Sequence, residues 1–509
     1  SPSPLSCLDQ SPSSQAQLKT NISAQTFCSA TFDFTEAIVF TSRMHSNWRT
    51  VEAWREMGVP IATASNEACK MYDATLSQYV CWKEVDAVGG LEGSMDTMMK
   101  ADPDFVMGHV IKNGLDLLGS GRTTRLDKEF EGDIDRMVKL ANSQPSLSSS
   151  EKKHTQALKL FADGHMVPAT QVWEDILVEH PLDTLALKFA HDSYFYLGFS
   201  SQIRDSIARV LPHYKPSNPF YGYILGMYSF GLEETNLYDK AEKMARKGLE
   251  INPSDAWSTH TMCHVMEMTG RQDEGITFLD KTVNDWEPCG MLACHNFWHW
   301  ALYYIEKGDY QGALNILDSQ VKLRAGKSGA LLDTVDVCSL MFRLEMEGVN
   351  MGDRWEEVFE ICRPHLDDHI LVFNDIHLLL ACLGANKGDA VKQMMDSIEN
   401  FIRNAKGDHH DVMEDIGKKM CEAFMAYNNG DFATAVDLLN PIRYRIINIG
   451  GSHAQRDLFN LFLIQAAIKS PKALHHNLAR SLLTERKALK DCAPMTDRLI
   501  ARAMSLHAD

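Results

Sequence analysis

Most signatures that would assign a chemistry are missing from this sequence. Its 12 cysteines form no CxxC pair. They are scattered, and several sit in helical apolar patterns, where a free thiol behaves as a small core hydrophobe. This points to a reducing compartment and away from a disulfide framework. No apolar run reaches the roughly 18 residues that mark a membrane span. The formal net charge is -18, and no run of Lys and Arg interrupts it. A surface for neutralising phosphates is therefore not expected, and nucleic acid is excluded as a partner. A Gly-rich phosphate loop, a nucleophile elbow and an HExxH zinc motif are all absent. The start has no basic stretch followed by an apolar one, and arginine first appears at Arg43. Neither a secretory nor a mitochondrial leader is expected, and the expected location is cytoplasmic.

What is present is an ordinary globular composition, with 45% apolar and 23% charged residues over 509 positions. Residues 1–45 are rich in Ser, Pro, Gln and Thr and read as a disordered tail. Residues 46–150 read as an N-terminal helical segment with irregular connections. Within it Ser65 is an N-cap for a helix through Val80. Asp102-Pro103 opens another helix that ends near Gly119, and residues 142–150 form a polar linker. Strand signals are nearly absent from there on.

A repeat emerges after residue 150 when segments are aligned on the turn residue, and residues 151–330 are assigned to it. Gly164, Gly270, Gly308 and Gly430 are each followed five residues later by a small residue: Ala169, Gly275, Ala313 and Ala435. Asn236, which also tolerates positive φ, is followed likewise by Ala241. The step from Asn236 to Gly270 is 34 residues, the period of a tetratricopeptide repeat. Ala157, Ala301 and Ala423 take the small position of the first helix, and Pro181 and Pro253 fall where second helices end. Small residues let paired helices approach, and stacking the pairs buries what each leaves exposed. Residues 331–509 continue as more degenerate helical repeats. The fold expected is an all-α, degenerate tetratricopeptide-like solenoid, curled around a concave groove or pocket.

The strings NEACKMYDATLSQYV, LALKFAHDSYFYLG, SFGLEETNLYDKAEK, MLACHNFWHWALYYIEKGDY and PIRYRIINIGGSHAQRDLF carry a more specific likeness. Through them the chain resembles the tetratricopeptide repeat protein 38 family over about residues 50 to 507. The resemblance implies a degenerate helical-repeat protein of the cytosol and carries over no catalytic residue or cofactor.

Four histidines in two i,i+4 pairs are the main hint of chemistry. His260 and His264 share one helix face, with Glu267 a turn further on, and these three are expected to face the groove. His295 and His299 repeat the spacing on the next first helix with Trp298 between them, and His299 is expected to point least squarely inward. Four imidazoles from adjacent helices could hold one metal ion, and zinc, iron or copper suits such ligands. Further polar residues interrupt apolar helices: His191 with Asp192, Asp333 with Asp336, Asn374 and Asp375 with His377, and Arg456 with Asp457. Converged, they would form a mixed Asp/His site able to bind metal or do acid–base work.

Three functions are compatible with this pattern. The first is a binding protein whose pocket, lined by these His, Asp and aromatic residues, receives a peptide, a protein segment or a small ligand. The second is an enzyme using a His-bound metal or an Asp/His pair there. The third is a structural adaptor with no pocket chemistry.

Overall fold

The turn residues identified from the repeat all adopt left-handed backbone conformations. The φ angles are +90° at Gly164, +61° at Asn236, +71° at Gly270, +79° at Gly308 and +78° at Gly430. Each stands between two helices that fold back on one another. A computed structural model describes residues 47–506, so the expected tail over residues 1–45 lies outside the described residues. Helices and turns account for the architecture, and no strand occurs among the described residues. The protein is an all-α helical-repeat solenoid. Small residues sit where helices meet, with Ala169, Ala241, Ala313 and Ala435 fully buried. At Gly275 the ring of Tyr303 fills the place a Cβ would take.

Eight first helices position the candidate site: α1 (Asn66–Cys81), α2 (Thr184–Leu197), α3 (Tyr221–Glu233), α4 (Ala256–Met268), α5 (Gly290–Lys307), α6 (Leu331–Met346), α7 (Val372–Gly384) and α8 (His453–Lys469). Helices α3 to α7 pack side by side, each with its second helix behind it. They are buried on nearly every side; in α4 every residue from Ala256 to Met266 is buried. A polar side chain on such a helix must find a partner inside the protein.

The chain's own C-terminal part covers the inner face. Helix α8 starts at a capping box between Ser452 and Gln455 and packs against α6. The Arg343 guanidinium donates to the Ala454 carbonyl at 2.6 Å, and Gln465 donates to the Met346 carbonyl at 3.2 Å. The amide of His453 donates to Glu234 at the end of α3 at 2.9 Å. Two further contacts join distant parts of the solenoid. Asp408 N–H donates to Gly164 O at 2.9 Å, and Gly451 N–H donates to Phe195 O at 3.1 Å. An open groove for a peptide is not what these inner helices present.

Some boundaries differ from the sequence reading. The helix expected to open at Asp102-Pro103 begins at Val106, because Asp102 accepts from the Asp104 amide and makes a turn first. The expected linker over residues 142–150 is shorter. One helix runs to Ser143 and the next begins at Ser149, capped by Ser148 and Glu151. Among the described residues no helix is long and apolar enough to cross a membrane. The ten described cysteines are free, and only Cys492 is exposed.

Candidate metal centre and adjoining cavity

Helices α4 and α5 pack with their histidine pairs facing each other. His260, His264, His295 and His299 each offer a ring nitrogen, and these atoms lie within 4.8 Å of one another. His264 and His299 are fully buried, and His260 is 4% exposed. The Nε2 atoms of His260 and His264 are 2.8 Å apart. Ring centroids are 4.3 Å apart for His264 and His299, and 4.9 Å apart for His260 and His295.

Carboxylates stand behind three of the four rings. His295 Nδ1 lies 2.7 Å from Asp336 on α6, and His299 Nδ1 lies 3.0 Å from Glu267 on α4. His264 Nδ1 faces Glu233 at the end of α3 at 3.5 Å. Where the carboxyl group is ionised it can only accept, so the ring facing it places its proton on Nδ1 and leaves Nε2 free to ligate. This is the arrangement by which outer carboxylates orient histidine ligands toward a metal.

The electrostatics run the same way. Burial, and then the neighbouring rings, push His260, His264 and His299 well below the usual histidine range. All three are therefore neutral, the form that ligates. Burial, and then adjacent Glu234, push Glu233 well up. Burial likewise raises Glu267. A dication among the rings would offset the cost of ionising these carboxylates. Several buried atoms lack hydrogen-bond partners, namely His260 Nδ1, His264 Nδ1, His299 Nε2 and both Glu233 oxygens. Buried polar atoms are rarely left so.

A cavity of about 110 Å³ adjoins the cluster. His260 and His295 form part of its wall, and Asp333, Asp336, His191 and Asp192 also line it. The rest is largely apolar, with Trp82, Phe230, Trp257, Leu292 and Leu332. Gln455 of α8 reaches into the same wall and donates to Asp336 at 3.3 Å. His191 is 1% exposed with neither ring nitrogen hydrogen-bonded, and burial lowers it to about 4. Asp192 is held by Tyr79 OH at 2.5 Å and by the ammonium of fully buried Lys188. That ammonium lies 4.1 Å from the Tyr79 ring centroid, 4.6 Å from that of Trp82 and 5.2 Å from that of Trp257.

The remaining candidates are distributed unevenly. Trp298 lies in the hydrophobic core, stacked on His295 at 4.9 Å, and does not face the cavity. His299, expected to point least squarely inward, is wholly enclosed within the cluster. The two pairs lie at different distances from their turn glycines, so a count from the turn misjudges which side of α5 meets α4. Glu267 borders a separate small cavity with Arg343, Asp457 and Lys490. His377 donates from Nδ1 to the Phe373 carbonyl at 2.7 Å and stays apart from the histidine cluster. Asn374 donates to Ser120 at 3.1 Å, Asp375 pairs with His369 at 2.9 Å, and Asp457 pairs with Arg486. Arg456 pairs with Glu234 at 3.3 Å.

Glu233, Trp82, Phe230, Trp257 and Gln455 were not singled out from the sequence. Glu233 carried a usable signal. It stands three residues before turn residue Asn236, as Glu267 stands three before Gly270. A second group, Glu233, Glu234 and His453, also brings ligand-type atoms within 4.8 Å of one another.

No protein-family model matches the chain. Among solved structures the chain is similar to a human IFIT1 dimer with PPP-AAAA, at 12% identity and a TM-score of 0.36, over 93% of this chain and 100% of that one. It is also similar to the Cut9–Hcn1 APC/C hetero-tetramer at 13% identity and a TM-score of 0.34, over 85% and 80% of the two chains. A third is yeast Tom70, at 12% identity and a TM-score of 0.32, over 93% and 96%.

Proposed function

We propose that this is a metal-binding helical-repeat protein. His260, His264, His295 and His299 hold one divalent transition ion, and the adjoining cavity brings a small organic ligand to it. Zinc, iron and copper are the ions suited to an all-imidazole set. The observation that carries the reading is the convergence of four imidazole rings backed by three carboxyl groups on separate helices. Such an ion would supply Lewis-acid polarisation of a ligand oxygen or nitrogen. The chain's residues orient the ligating rings, line the cavity with an apolar wall and hold a proton at Glu233. An enzymatic role in that cavity belongs to the same reading.

Peptide capture is less well supported, because α8 lies against the inner helices where a peptide would run. Membership of the tetratricopeptide repeat protein 38 family is part of the proposal and is supported by the sequence strings quoted above.

Elemental analysis of the purified full chain tests the reading. The expected result is one equivalent of a transition metal per chain, lost in the His264→Ala/His299→Ala double variant. Absence of metal after purification and after reconstitution with zinc, iron and copper would overturn it. Unchanged metal content in the double variant would overturn it equally.

A further inference from the structure

We infer that the cavity takes a protonated organic amine with a flat apolar body. The inference rests on the cavity being a ligand site, as proposed above, and names the chemistry of that ligand.

Asp333 is the buried carboxylate on the wall that neither a basic side chain nor a histidine ring holds. Asp333 is 2% exposed and accepts from the Ser328 hydroxyl at 2.6 Å. The other two carboxylates on the wall are differently placed. Asp192 is paired with Lys188, and Asp336 with His295 and Gln455. Among the described residues no lysine or arginine lines the cavity, and none is paired with Asp333. A buried carboxylate without a partner is costly, and a ligand that brings a positive charge removes the cost. An anionic ligand would meet three carboxylates there and gains nothing from Asp333.

The aromatic wall fits the same charge. Trp82 and Trp257 already lie close to one ammonium, that of Lys188, which pairs with Asp192. The rings of Trp82, Phe230 and Trp257 bound the cavity. Aromatic faces attract cations most strongly when both are shielded from water. They also accept a flat apolar body by stacking. Unpartnered His191 offers such a ligand one hydrogen bond on the wall.

Isothermal titration on the full chain at about pH 8 tests this with three probes of one shape: benzylamine, benzyl alcohol and benzoate. Benzylamine should bind roughly tenfold or more tightly than benzyl alcohol, with benzoate weakest. Asp333→Asn should erase the preference for the amine, with its fold checked by circular dichroism. The order of the three probes is read on the unmutated chain and needs no variant to fold. Equal binding of alcohol and amine, tightest binding of benzoate, or no heat from any probe would each overturn the inference. A preference for the amine that survives Asp333→Asn would overturn it too. Metal content measured on the same samples separates the two readings. An amine preference without metal leaves the inference standing and removes the metal. One metal per chain without an amine preference does the reverse.

Discussion

Replacing His264 by alanine has two separable consequences. The first is a packing cost. His264 is fully buried among Phe230, His260 and His299, and emptying such a site costs roughly 2–5 kcal/mol whatever the ring was doing. His377→Ala carries a similar cost, since that ring is also fully buried but stands outside the cluster. The second consequence belongs to the metal alone. An ion bound only by the folded state, at a hundred times its dissociation constant, stabilises by about 2.7 kcal/mol. Unfolding entropy of about 2.1 cal/mol/K per residue gives a chain of this length roughly 1 kcal/mol per kelvin. Added zinc should therefore raise the unfolding temperature of the wild type by about 3 °C. Scanning calorimetry with and without zinc should show that rise in the wild type and in His377→Ala, and none in His264→Ala. If His264→Ala keeps the full rise, or the wild type shows none, the four-histidine argument is wrong.

Three more outcomes follow from other parts of the fold. Burial raises Asp255, the N-cap of α4, to about 7. Between about pH 4 and 7 the folded state then holds a proton the unfolded chain releases, so stability falls as pH rises through this window, by up to on the order of 4 kcal/mol. Urea unfolding should show that slope flattened in Asp255→Asn, which keeps a capping oxygen. Gly275→Ala should destabilise by roughly 1–3 kcal/mol by displacing the Tyr303 ring, whose hydroxyl donates to Cys263 O at 2.7 Å; an unchanged denaturation midpoint would refute the close approach. Lys188→Met should cost roughly 3–5 kcal/mol by leaving Asp192 uncompensated. Lys188→Met/Asp192→Asn should recover part of that loss, and a double variant no more stable than the single would count against the pair.

The sequence made the local features legible and left the long-range ones hidden. Gly270 and Gly308 announce turns because left-handed φ is a property of the residue itself. The pairs His260/His264 and His295/His299 announce a shared face because helical periodicity alone puts i and i+4 together. That α4 and α5 turn these faces toward each other depends on how two helices rotate when packed, which a count from each turn does not give. Gln455 was invisible for another reason. It reaches Asp336 across 119 positions of sequence, and nothing near Ser452 reports what α8 will lie against. Trp298 misled because an aromatic residue between two histidines reads as part of a groove, whereas its side of α5 faces the core.

The contact between Gly164 and Asp408 bears on how the molecule comes apart. In an open array each repeat touches only its neighbours, and end units can fray or be deleted at the cost of a single interface. Here the turn at Gly164 is tied to Asp408 far along the chain, and His453 is tied to Glu234. The array therefore carries ties that bypass its nearest-neighbour interfaces. Helix α8 lies on the inner helices through Ala454, Gln455 and Gln465, so shortening the chain from its C-terminus should uncover the centre before it removes the repeats that build it.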